Sequence, residues 1–207
     1  MNLPLAHRLA RATPQRFETR PIRRAKVLLP TRPRKFRHAL LDAKFTGLSR
    51  RGKYLLFQLR AKVDSKPIFL LGHLGMTGRI FPAQRDRRLP RHTAVALDLG
   101  TSRLIYEDTR YFGRLTLDTS AVTRLGPEPL DDGFEPETFA RSLKRSRQAI
   151  KVKLLDQKLV AGIGNIYANE ALFRAHLSPK LAANKLKVAQ VRRLRRAIRK
   201  VSDPTRG

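Results

Sequence analysis

The hydrophobic period of this chain changes once, and that change limits its fold more than any other feature. From residue 22 to about 124, apolar residues come in short runs between turn signals. AKVLL at 25–29 stops at Pro30, KYLLFQL at 53–59 follows Arg51-Gly52, and PIFLLGHL spans 67–74. Runs at 93–99 and 103–106 flank Gly100-Thr101-Ser102, a hairpin signal. One interruption, 34–43, has helical spacing with Phe36, Leu40 and Leu41 on one side. Short strands separated by turns predict an antiparallel sandwich or barrel. At 125–133 (LGPEPLDDG) two Pro, two Gly and a cluster of acids break the pattern. Beyond it the spacing is helical at 136–143, 149–155, 166–175 and 184–201. The class predicted is α+β, strands first. Its expected parts are a basic extension at 1–21, a β domain at 22–124, a linker at 125–135, a helical domain at 136–201 and a tail at 202–207.

Charge narrows the partner. Lys and Arg number 45 against 16 Asp and Glu, so the 207 residues carry 45 − 16 = +29. Hydrophobic residues make up 41%, enough for packed cores, so this is not a disordered basic tail. The basic residues run along the whole length, which implies a polyanion, nucleic acid before an anionic membrane. A folded RNA remains a third partner on charge alone. There is no cysteine, and the five His (7, 38, 73, 92 and 176) show no metal-ligand spacing. No apolar run approaches the ~20 residues of a membrane span. Residues 1–24 are Arg-rich without Ser, which suits a basic extension better than an organellar transit peptide. The location expected is cytoplasmic, at a bacterial nucleoid.

Two helical segments could meet phosphate. Gly162-Ile163-Gly164-Asn165 leads into an apolar-faced helix after Lys151, Lys153 and Lys158. Free N–H groups at a helix start bind anions, and Asn165 could either cap that helix or donate to the phosphate. The last helix interleaves Arg192, Arg193, Arg195, Arg196, Arg199 and Lys200 with Leu194, Ile198 and Val201. It either faces DNA or is simply solvated.

The stretch at 150–179, IKVKLLDQKLVAGIGNIYANEALFRAHLSP, resembles the helix-two-turns-helix segment of the formamidopyrimidine-DNA glycosylase / endonuclease VIII family. Four more segments match it in order: RRGKYLLF (50–57), HLGMTG (73–78), DTRYFG (108–113) and LGPEPL (125–130). The resemblance implies an N-terminal antiparallel β-sandwich and an all-α helix-two-turns-helix domain. It also implies excision of oxidised bases from duplex DNA with strand cleavage at the abasic site, as a monomer and without a membrane partner. By the same resemblance Lys53 contacts phosphate and assists catalysis, and His73 contacts phosphate. Met76, Arg110 and Phe112 fill the void left by an everted nucleotide. Lys151 touches the damaged base and DNA, and Arg147 and His92 fall near further DNA contacts. Gly164 and Asn165 belong to the phosphate-binding turn. Thr109 and Tyr111 stand where the family usually has Pro and Arg.

Two family features have no counterpart in the sequence. The family's nucleophile is an N-terminal proline followed by Glu, whereas this chain begins Met1-Asn2-Leu3-Pro4. Residues 1–20 do not resemble the family's first helix. The family's zinc finger has no cysteines here, so no cofactor is expected. A lysine amine can form a Schiff base when its pKa is depressed, and Lys53 beside Arg50 and Arg51 is the candidate. The competing expectation is a non-catalytic DNA-binding protein that uses its helical domain as a phosphate clamp.

Overall fold

The computed structural model describes residues 16–19, 33–41, 43–60 and 66–203. The chain divides into two compact units, Met1–Ala121 and Val122–Gly207. The apolar run at 25–29 and the tail at 204–207 lie outside the described residues.

In the first unit, β1 (Arg16–Thr19), β6 (Thr93–Asp98), β7 (Ser102–Asp108) and β5 (Gly78–Gln84) form one four-stranded sheet in that order. The second sheet orders β2 (Lys44–Arg51), β3 (Tyr54–Arg60), β4 (Pro67–His73) and β8 (Arg114–Thr116). Every pairing is antiparallel. Alternation in KYLLFQL buries Phe57 and Leu59, and Phe57 stands opposite Leu70 of β4. These residues join Val95, Leu97, Leu104 and Tyr106 of the other sheet in one apolar cluster. Two separate sheets sharing one core make a sandwich, not a barrel. Phe36 and Leu40, one turn apart on α1 (Pro33–Leu40), close the core and are fully buried. Each such side chain contributes about 1.5–3 kcal/mol on burial.

Four strands escaped the sequence pattern for local reasons. β2 lies at a sheet edge, buries only Phe45 fully, and shifts register between Phe45 and Gly47. β5 carries Pro82, which is tolerated because β5 is also an edge strand. β8 has only three residues. β1 falls inside the stretch expected to be a basic extension, yet its backbone pairs with β6, Phe17 opposite Leu97. The alternation in RFET is too short to stand out among the surrounding arginines.

The second unit contains α2 (Ser120–Thr123, whose first residues belong to the first unit), α3 (Pro136–Lys144), α4 (Ile150–Leu155), α5 (Asn165–Arg174) and α6 (Val188–Ser202). A single cluster forms its core: Phe139 and Leu143 of α3, Ile150 and Leu154 of α4, Ala168, Ala171 and Leu172 of α5, and Val191, Leu194 and Ile198 of α6. Among the described residues, no helix is long and apolar enough to cross a membrane.

Residues 125–135, expected to be a linker, are packed into this unit. Phe134 is 1% exposed and meets Phe139 edge-on at 5.0 Å. Gly126 N–H donates to Gln157 O, and Ala161 N–H donates to Pro127 O. Pro and Gly marked turns there, not a separation. Phe134→Ala should therefore destabilise the helical unit by about 3–5 kcal/mol in a denaturant titration, where a true linker would show almost nothing.

The basic last helix is neither wholly DNA-facing nor simply solvated. The Arg195 guanidinium donates to Phe134 O and lies 5.2 Å from the Phe134 ring centre. Arg193 donates to Ala175 O at 2.7 Å, and Arg199 reaches Asp131 O and Leu130 O. Three of its arginines thus tie other chain segments to α6 through backbone carbonyls.

Candidate nucleic-acid interface

In the sandwich unit, β2 and β3 join through Gly52-Lys53, with Arg51 opposite Tyr54. Glycine first in a two-residue loop supplies the positive φ, 57°, that such a turn requires. Lys53 is thereby carried at a hairpin tip. His73 ends β4 opposite Tyr54, ring centres 5.0 Å apart, and opposite Arg114 of β8 on its other side. Lys53, His73, Met76 and Phe112 line one open groove of about 490 Å³, together with Arg50 and Gly75. Met76 is 70% exposed and Phe112 48% exposed, so both side chains stand outside the core and beside each other on this groove. The Arg110 guanidinium lies 4.9 Å from the Phe112 ring centre.

The groove's electrostatics follow from burial and like charge. Lys53 is exposed overall, yet the desolvation it does suffer lowers its pKa. Burial, then the charges of Lys53 and Arg114, hold His73 below the ordinary imidazole range. Gly75 N–H donates to His73 Nδ1 at 3.2 Å, so the neutral ring carries its proton on Nε2 as a free donor.

Asp108 organises the loop behind these groups. Its side chain is buried, and it accepts hydrogen bonds from Thr77 Oγ1 at 2.6 Å, Gly113 N–H at 2.8 Å and Arg110 N–H at 3.2 Å. Burial alone would raise its pKa. The bonds from Thr77 and from the Gly113, Arg110 and Tyr111 backbones outweigh this and hold it below the usual carboxylate range. Tyr111 adopts a left-handed φ of 57° and packs on the sandwich core. It anchors the loop while both its neighbours, Arg110 and Phe112, stay exposed.

In the helical unit, the turn before α5 is held by side-chain amides and carboxylates. Gln157 Nε2 donates to Leu155 O and Ile163 O, and its Oε1 accepts Gly162 N–H. Asp156 pairs with Lys153 at 2.8 Å and accepts Lys158 N–H, and Lys153 is the main cause of its lowered pKa. Gly164 precedes α5 without any side-chain cap, and Asn165 is the first helical residue, so Asn165 does not cap the helix. The first-turn N–H groups of Asn165, Ile166 and Tyr167 have no intrahelical acceptor and face an exposed surface. Ile166 there is 80% exposed. Lys151 is the second residue of α4, which packs on α5, and Arg147 lies exposed in a segment tied to Ala183 and Asn184 through Gln148 O and Ser146 O.

Each unit therefore gathers its own share of the residues singled out in the sequence: Lys53, His73, Met76, Arg110 and Phe112 in one, Arg147, Lys151, Gly164 and Asn165 in the other. His92 does not line the groove, although its carbonyl accepts Asp108 N–H at 3.1 Å. Sequence reading passed over Asp108, Thr77, Arg114 and Gln157. Asp108 and Thr77 lie inside quoted motifs and Arg114 directly follows one, but only the fold shows what they face. The sequence has no cysteine, and among the described residues no three His, Asp or Glu side chains cluster.

Comparison with known proteins gives two family matches. The formamidopyrimidine-DNA glycosylase N-terminal domain matches residues 2–115, and the formamidopyrimidine-DNA glycosylase H2TH domain matches 125–203. The first match begins at residue 2, which corrects the expectation that residues 1–20 lie outside the family's likeness. A formamidopyrimidine-DNA glycosylase of Desulfitobacterium hafniense is 42% identical over 175 residues, 81% of this chain and 62% of that protein. One from Carboxydothermus hydrogenoformans is 37% identical over 204 residues, 96% of this chain and 74% of that protein. The match thus spans less than two thirds of the first relative's length. Among solved structures, Lactococcus lactis formamidopyrimidine-DNA glycosylase bound non-covalently to DNA containing an AP site aligns with a TM-score of 0.85 at 29% identity. That alignment covers 96% of this chain and 75% of the other. The same enzyme in complex with DNA containing FAPY-dG aligns equally well, at 30% identity. Two family domains in order, over a sandwich and a helix-two-turns-helix unit, show that the chain belongs to the formamidopyrimidine-DNA glycosylase family.

Proposed function

We propose that this chain binds duplex DNA carrying an oxidised base or an abasic site, everts the damaged nucleotide, and takes part in base excision and strand cleavage there. The observation that carries this reading is the exposed set Met76, Arg110 and Phe112 beside Lys53 and His73. Eversion costs a few kcal/mol of stacking and pairing. Met76 and Phe112 restore apolar contact in the vacated space, and Arg110 offers its donors to the orphaned base. His73 Nε2–H and Lys53 meet phosphate on the sandwich side. Lys151, Arg147 and the uncapped start of α5 at Gly164-Asn165 meet it on the helical side. His92 supports the loop of Arg110 and Phe112 through its carbonyl, which accepts Asp108 N–H. Lys53 also supplies an amine: its neutral form adds to C1′ of the ring-opened abasic sugar, water leaves, and the resulting imine acidifies C2′–H, whose loss expels the 3′ phosphate.

A phosphate clamp without chemistry needs only the helical unit and leaves the exposed Met76 and Phe112 without a purpose. Fluorescence anisotropy separates the two readings. A duplex with a tetrahydrofuran abasic analogue has no base to evict and should bind roughly 10–100-fold more tightly than the undamaged duplex, the equivalent of the spared eversion energy. Equal affinities remove base eversion and leave the clamp.

A further inference from the structure

Met76 and the pair Arg110–Phe112 sit on different segments, the turn between β4 and β5 and the loop between β7 and β8. Nothing in the sequence joins them, yet the fold does so at four points. Asp108, at the end of β7, takes Thr77 Oγ1 from the first segment and the Arg110 and Gly113 N–H groups from the second. Thr77 Oγ1 itself accepts Arg110 N–H at 3.3 Å, closing a ring of contacts across the gap. Gly75, at φ 61°, comes so near that a Cβ there would lie 2.7 Å from the Phe112 carbonyl carbon. On the other side, a Cβ at Gly113 would lie 2.7 Å from His73 O. The carboxylate is buried and satisfied by donors drawn from both segments, so parting them would strand a desolvated charge.

We infer that Thr77 and Asp108 are positioning residues that latch the Met76 turn to the Arg110–Phe112 loop, so that the three side chains enter a vacated base site as one preformed wedge. Asp108 is buried and Thr77 half-buried, so each acts by holding the exposed residues in place. The inference rests on the eversion reading above for its function but not for its geometry. A wedge that is already assembled needs no ordering when the base leaves, so the latch contributes to damage preference and not to general attraction for duplex.

Thr77→Val keeps the shape and removes the hydroxyl; Thr77→Ser keeps the hydroxyl. Losing one hydrogen bond to a charged group corresponds to about tenfold or more in an equilibrium. The ratio of affinities, abasic-analogue duplex over undamaged duplex, should therefore fall roughly tenfold in Thr77→Val and recover in Thr77→Ser. A general folding defect would lower both affinities together and leave the ratio alone. Amide hydrogen exchange on the free protein supplies a readout that needs no DNA. Exchange in 75–77 and in 109–113 should rise together in Thr77→Val, with β3 and β6 unchanged. If exchange rises in neither segment, or in one alone, the latch is overturned. If both rise while the ratio holds, the latch exists but does not serve damage preference, and the inference fails on function. A parent protein without preference for the abasic analogue overturns the eversion reading, and with it the functional half of the inference, while exchange still decides the geometry.

Discussion

Raising salt from about 50 to about 200 mM should weaken duplex binding by about 10³–10⁵-fold, the loss expected when 6–10 phosphates are neutralised. The net charge of +29 does not by itself set that slope, because the structure divides the cations into spent and available. Lys153 is paired with Asp156, Arg79 with Glu107 and Arg85 with Asp98. Arg193, Arg195 and Arg199 hold backbone carbonyls of their own unit. Lys53, Lys151 and Arg147 remain for phosphate, with the exposed Arg192, Arg196 and Lys200 on α6. Lys151→Ala should therefore reduce the slope of log affinity against log salt by about 1, as one phosphate contact is lost. Arg195→Met should leave the slope unchanged while lowering the thermal midpoint, since Arg195 holds Phe134. A flat salt response from the parent protein would rule out phosphate-dominated binding.

The same division shows what was legible in the sequence. Strong periods were readable: α3, α4, α5 and α6, and strands β3, β4, β6 and β7, lie within a few residues of their expected places. A buried strand or an amphipathic helix writes its environment into its own residues. Edge strands do not, which is why β2 and β5 left so little signal. The turn at 125–135 was legible as a turn but not as a packed one, because Phe134 finds one of its partners, Arg195, 61 residues along the chain. The candidate site was legible through motif resemblance at Lys53, His73, Met76, Arg110 and Phe112. Its supports were not. Asp108 looks like one of several surface acids until β7 places it beneath both loops, and Gln157 looks like a solvated amide until it closes the turn before α5.

Lys53→Ala should abolish the covalent adduct that borohydride traps between this protein and abasic-site DNA. A positioned nucleophile commands an effective molarity of about 10⁵ M or more, so trapping by stray amines should fall below roughly a hundredth of the parent yield. The sign of the pH dependence follows from the direction of the pKa. Desolvation disfavours the ammonium and lowers the pKa of Lys53, so its neutral fraction near pH 8 exceeds that of an ordinary lysine. Adduct formation should therefore rise with pH and level off above that lowered value, earlier than a surface lysine would allow. Alanine removes a phosphate contact as well as an amine, so Lys53→Arg is needed to separate them. Arginine keeps the charge and stays protonated, so it should bind abasic-site duplex within a few-fold of the parent yet form no adduct. Trapping that persists in Lys53→Arg at the parent yield would assign the nucleophile to another amine and leave Lys53 with phosphate contact alone. Loss of adduct with binding retained places the reacting nitrogen at the tip of the β2–β3 hairpin, where the two-residue turn through Gly52 holds it at the groove it shares with His73, Met76 and Phe112.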